Sequence, residues 1–161
     1  MTADHTARFE PAMTLALALA AGDGDASVPA ANADVPVGAV VLGADGAVIG
    51  QGRNRCLADS DPTAHAEIVA IRQAAQTVGC WRLDGCTLVV TLEPCTMCAG
   101  AVLSARMRRL VYGAADARAG AAGSLWDVVR DRRLGPPVEV IGGVLADSSA
   151  ALLSAFFARR R

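Results

Sequence analysis

The stretch TLEPCTMCAG, residues 91–100, places Cys95 and Cys98 three positions apart, directly behind a proline. By itself a C-x-x-C pair can be a redox couple, half of a structural metal site, or chance. A closed structural site needs two more cysteine or histidine donors. The chain has no second C-x-x-C, and its only histidines are His5, near the terminus, and His65, in DPTAHAEI. A shared ligand for His65, Cys95 and Cys98 would constrain the fold tightly. Residues i and i+3 lie on one helix face, and in a first turn the positive end of the helix dipole favours the thiolate that binds metal. His65 and Glu67 are two residues apart, roughly 200° around a helix. They converge only at a helix end. Two helix starts must then meet, a natural arrangement at the C-terminal ends of a sheet's strands.

The rest of the pattern agrees. Residues 10–21, with leucines at 15, 17 and 19 among alanines, predict a first helix. GDGDASVPAANAD, residues 22–34, reads as a flexible loop insertion. Two β-branched runs flank Ala44-Asp45-Gly46 and predict a hairpin. RNRCLADSD is a connecting loop. Asp61 and Pro62 suit the N-cap and N1 of a helix to about residue 78, with Thr63 a competing cap. TLVVTL (87–92) predicts a buried strand, followed by a helix from near Pro94 to near Ala105. RRLVYGA predicts a further strand, DARAGAAG a glycine-rich loop, and Ser124 with Asp127 a capping box opening a short helix. A strand in VEVIGGVL and a helix over 147–159 close the chain. Strands alternating with helices predict an α/β layered domain around one sheet. No repeat or linker divides residues 1–161, so a single domain is expected.

Composition narrows the class. The chain is 53% hydrophobic and 19% charged, as a folded globular protein is, and only 4% aromatic, so aliphatic side chains and alanine must fill the core. An odd count of five cysteines argues against a disulfide framework. Cys56, Cys80 and Cys86 read as ordinary thiols. The run MTLALALAAG follows Asp4 and Glu10 with only Arg8 as a positive charge, which does not suit a secretory signal, and it is too short to span a membrane. A cytoplasmic location is expected. All fifteen basic residues are arginine. Residues 1–80 hold four arginines against nine acids, and residues 81–161 hold eleven against seven. The basic half could face an anionic partner.

A lone helical histidine is commonly a packing residue. Here Glu67 follows two residues on, and Cys95 lies thirty residues on behind Glu93-Pro94. The set matches H-x-E…P-C-x-x-C, the signature of zinc deaminases. The match implies one Zn2+ per subunit on His65, Cys95 and Cys98. Three protein donors leave a fourth position for water, the mark of a catalytic zinc. Glu67 is then the proton carrier: it takes a proton from the activated water and passes it to the ring nitrogen. Hydroxide attacks the carbon bearing the exocyclic amine, and Glu67 delivers a further proton to the departing ammonia.

VPVGAVV, GRNR, DPTAHAEIVAIR, TLEPCTMCAGA and YGAADARAGAAGSLWDVV together resemble the bacterial tRNA-specific adenosine deaminase family. The likeness runs from about residue 34 to the closing helix with Phe156-Phe157. It implies a cytidine-deaminase-like fold: three α/β/α layers and a central mixed sheet of about five strands. It also implies a homodimer that converts the wobble adenosine of an arginine tRNA anticodon stem-loop to inosine. On this resemblance Asn54 in GRNR contacts the flipped nucleoside, and Asp116 lies where the RNA strand approaches. Of Phe156 and Phe157, one packs inward, and the other, taken as Phe156, stacks on an unpaired base. Backbone phosphates would meet three arginine clusters, at 106–109, 130–133 and 159–161. The acidic 22–33 segment and Val89, where the family often has tyrosine, depart from the pattern. The competing reading is a zinc deaminase of a free base or nucleoside such as guanine or cytosine. A non-catalytic zinc or RNA-binding module would not need Glu67 beside an open coordination position.

Overall fold

The computed structural model describes residues 3–22 and 33–160. The loop insertion expected at 22–34 falls almost wholly on residues 23–32, outside the described residues. The elements run α1 (Ala3–Ala7), α2 (Glu10–Ala21), β1 (Gly38–Leu42), β2 (Val48–Arg53), α3 (Cys56–Asp59) and α4 (Ala66–Val78). They continue with β3 (Thr87–Leu92), α5 (Thr96–Ser104), β4 (Arg109–Ala114), β5 (Glu139–Ile141) and α6 (Ala146–Ala158). The strands form one mixed sheet in the order β2-β1-β3-β4-β5. β1 pairs antiparallel with β2 and β3, while β3, β4 and β5 run parallel. This is the layered α/β architecture expected from the alternation of elements.

Strand side chains alternate between faces, and the register turns that alternation into two cores. Val40, Val89 and Val111 stand side by side on one face and pack with Phe9, Met13 and Ala16 of the α2 side. Val41, Leu88 and Leu110 line up on the other face with Ala66, Ala70 and Ala74 of α4 and Ala99 and Val102 of α5. All of these strand residues are fully buried. The hairpin closes as predicted: Gly43 N–H donates to Ala47 O (2.8 Å), and the Asp45 carboxylate accepts from Ala47 N–H (3.0 Å). Among the described residues, no helix is long and apolar enough to cross a membrane.

Three local predictions need correction. Residues 56–59 of the expected connecting loop make the short helix α3. α4 begins at Ala66, not at Pro62, because the Asp61 carboxylate takes the Thr63 N–H (2.8 Å) and hydroxyl (2.7 Å). That Asx-type turn competes with helix entry. No helix opens at Ser124. Ala122 bridges Asp127 in an extended arrangement, and the Ser124 hydroxyl is bound to Glu93 instead of capping a helix.

The edge strand β2 lies unusually close to α4. A Cβ added at Gly52 would stand 2.7 Å from Ala70 N and 2.9 Å from Val69 Cβ. Gly52→Ala should therefore push the strand and helix apart and cost about 2 kcal/mol, as overpacking does. A lowered urea midpoint, with weakened zinc retention because α4 carries the site, is the expected result. An unchanged midpoint would mean the layers separate freely here.

Candidate metal centre and active site

Each of the two site helices starts on a candidate ligand. His65 is the N-cap residue of α4 (φ −68°, ψ 153°) and Cys95 that of α5 (φ −72°, ψ 175°). Both are extended, so their side chains project beyond the helix ends. The strands β3 and β4 are parallel neighbours, with Leu92 opposite Ala114, so the chain leaves both at the same edge of the sheet. This is the meeting of helix starts that the H-x-E spacing demanded.

His65 Nδ1 lies 3.7 Å from Cys95 Sγ and 3.5 Å from Cys98 Sγ. All three donor atoms fall within 4.8 Å of one another. Tetrahedral zinc with Zn–S of about 2.3 Å and Zn–N of about 2.0 Å would set its nitrogen and sulfur donors about 3.5 Å apart. The donor set thus fits one Zn2+ without rearrangement. The metal-free thiols share their protons. Hydrogen bonds from Cys98 and His65 hold Cys95 down at about 3, while the Cys95 neighbour and burial push Cys98 up. Metal binding must release the Cys98 proton, so affinity falls on acidification.

Glu67 sits in the first turn of α4 and is only 4% exposed. Burial pushes its carboxyl up to about 7, with His65 opposing the shift. It stands outside the three-donor set. A buried carboxyl near neutrality beside three metal donors is an arrangement suited to moving protons.

Asn54 borders the centre. Its side-chain oxygen accepts from Ala66 N–H (2.9 Å), the first amide of α4. Because the His65 side chain points to the donor set, the helix is capped by a residue twelve positions upstream. The Asn54 NH2 has no protein partner among the described residues. Asp116 follows β4; its N–H donates to the Glu93 carboxylate (3.0 Å), and its own carboxylate accepts from Arg118 N–H (2.9 Å) and Ala119 N–H (3.2 Å). Phe156 meets Phe157 edge-to-face (5.3 Å) and carries Arg160 over its ring (4.5 Å). Phe157 is the more exposed of the pair. The structure brings His65, Glu67, Cys95 and Cys98 together, with Asn54 at their edge, whereas the ring contacts of Phe156 lie with Phe157 and Arg160.

Several of the candidate phosphate-binding arginines are engaged within the protein. Arg109 pairs with Glu139 (2.7 Å), Arg130 with Asp127 (2.9 Å) and Arg133 with Asp131 (2.6 Å). Arg106, Arg108 and Arg132 form no close ion pair among the described residues, although Arg106 acts on Asp84 and Arg108 on Glu139 through space. The residue that sequence reasoning missed is Glu93. It is 2% exposed and binds the loop after β4 through both oxygens. Burial works against its ionisation, but hydrogen bonds from Ser124, Asp116 and Ala122 outweigh that and keep the carboxyl below its ordinary range. The one signal available was a carboxylate at the end of an otherwise apolar strand.

The family model of the cytidine and deoxycytidylate deaminase zinc-binding region matches residues 10–114. The chain is 48% identical over 128 residues to the tRNA-specific adenosine deaminase of Haemophilus influenzae, covering 80% of this chain and 74% of that one. A solved structure from studies of A-to-I editing by tRNA:A34 deaminases at the wobble position of transfer RNA superposes with a TM-score of 0.79. It is 42% identical, with 88% of this chain and 97% of that chain covered. The guanine deaminase of Nitrosomonas europaea superposes with a TM-score of 0.72 at 28% identity, over 92% of this chain and 84% of that one.

In the metal-free protein, Glu67 costs more to ionise folded than unfolded. Its stabilising contribution is complete below the ordinary glutamate value of about 4.3 and is lost as pH rises toward about 7. Glu67→Gln removes that loss. Metal-free E67Q should melt with the parent at about pH 4 and above it at about pH 8. Melting curves across pH check this; coincident curves throughout would show that burial does not disfavour the ionised carboxyl.

Proposed function

Starting from the fact that the chain belongs to the cytidine and deoxycytidylate deaminase zinc-binding family, among its tRNA-specific adenosine deaminases, we propose that it hydrolyses the wobble adenosine of a tRNA anticodon, of the arginine tRNA type, to inosine. Adenosine and water give inosine and ammonia. The observation that carries the chemistry is the buried Glu67 carboxyl beside the three metal donors that converge among the described residues, His65, Cys95 and Cys98, and the likeness to tRNA-specific adenosine deaminases carries the substrate. Zinc, when bound there, supplies the Lewis acidity that brings ionisation of a water toward neutral pH.

Glu67 takes the proton of the attacking water, gives it to N1 of the base, and delivers a further proton to the leaving amine at C6. Burial raises its affinity for a proton in the metal-free protein, which favours a carboxyl that can both accept and donate. Asn54 offers its unpartnered NH2 to the flipped base while its oxygen stays on α4. Asp116 stands where the RNA strand passes the loop after β4, and the closing helix offers an unpaired base the Phe156–Phe157 pair, in which Phe157 is the more exposed ring and Phe156 is half-buried. Arg106, Arg108 and Arg132 are the arginines open to phosphate, which makes binding salt-dependent. The working protein is a cytoplasmic homodimer with one zinc in each subunit.

The test is an arginine tRNA anticodon stem-loop carrying a wobble adenosine, incubated with the zinc protein beside free guanine, cytosine, adenosine and cytidine. Inosine should form in the stem-loop. Glu67→Ala should abolish it, a loss of at least about 100-fold for removal of the proton carrier, with fold and zinc content retained. Ammonia released from guanine alone would shift the substrate to that of the Nitrosomonas europaea relative and set the RNA reading aside.

A further inference from the structure

The loop between β4 and β5 is built around a charge it does not contain. Glu93 Oε1 accepts from Ala122 N–H (3.0 Å) and Ser124 N–H (3.0 Å). Its Oε2 accepts from Asp116 N–H (3.0 Å) and from the Ser124 hydroxyl. Four donors from residues 116–124 thus converge on one carboxylate that is 2% exposed. Next to it, Ala121 N–H donates to Pro94 O (2.8 Å). Gly120 passes so near that a Cβ there would stand 2.5 Å from Glu93 Cδ. The donors are spread from 116 to 124, so the carboxylate braces that first part of the loop.

What that shape displays does not serve the fold. Leu125 is 50% exposed and Trp126 60%, on a loop that has buried Ala121 and Ala122 beneath it. The loop leaves β4 beside the point where β3 runs into Cys95, since Leu92 and Ala114 are register partners. Adjacent strands lie about 4.8 Å apart, so the loop starts close to Cys95, and Ala121 is bonded to Pro94, the residue before that ligand. An exposed aromatic side chain held there suits an unpaired base.

We propose that Glu93 is a positioning residue for substrate capture: its carboxylate holds residues 116–126 in the conformation that engages the RNA flanking the reacting base. This rests on the RNA-deaminase reading above. Glu93 touches neither the substrate nor the metal donors; it acts through Asp116, Ser124 and the exposed Trp126.

Glu93→Gln keeps the size of the side chain but turns one acceptor into a donor facing donors. Steady-state kinetics on the stem-loop should show KM raised about tenfold or more, as for a buried hydrogen-bond donor left without an acceptor, with kcat within about threefold and zinc content unchanged. Ser124→Ala, a milder change at the same node, should raise KM in the same direction. The double variant should be no worse than E93Q alone, because both act through one contact. Ser124→Ala and Gly120→Ala carry the test if E93Q does not fold. Trp126→Ala should reproduce the rise in KM. A fall in kcat at unchanged KM, or activity lost in step with zinc, would overturn the proposal and leave Glu93 a prop for Cys95. A parent protein inactive on the stem-loop would overturn the functional reading, and this proposal with it; an active parent with unaffected variants would overturn the proposal alone.

Discussion

The convergence of two helix N-termini on one point governs this structure. His65 and Cys95 can face each other only because α4 and α5 lie on the same side of the sheet and begin at the same edge. That placement needs parallel β3 and β4, a β2 edge free of side-chain bulk under α4, and extended backbone at both N-cap positions. Each helix gives up a side chain that could have capped it. The compensation at α4 comes from Asn54, a contact worth about 1 kcal/mol where a cap is lost.

Much of this was legible because it is local. The α2 boundaries, the hairpin at Asp45, the β3 strand and the closing helix follow from periodicity and turn chemistry within a few residues. The donor set was legible for a different reason: zinc chemistry demands few residue types at restricted spacings, and of the chain's two histidines, His5 and His65, only His65 carries the H-x-E spacing.

What escaped the sequence depends on contacts far along the chain. Ser124 has the look of a helix cap, but its hydroxyl is claimed by a carboxylate 31 residues earlier. Asp61 also looks like a cap, and a turn two residues long takes one of its oxygens first. The three arginine clusters read as phosphate contacts, yet Arg109, Arg130 and Arg133 are paired with Glu139, Asp127 and Asp131. Local charge counts cannot reveal such pairing. Phe156 and Phe157 were indistinguishable as letters, and only the packing of α6 makes Phe157 the exposed ring.

Asn54 ties two properties that most enzymes can vary separately. One end of its amide closes α4, and the other is left to face whatever occupies the site. Aspartate at this position would retain the helix contact and lose the donor; a larger amide would move both. Only a residue that keeps an acceptor there preserves the metal helix, which leaves few options at this position, so the route to altered substrates runs more easily through the loop after β4, whose tip can change while its anchor stays.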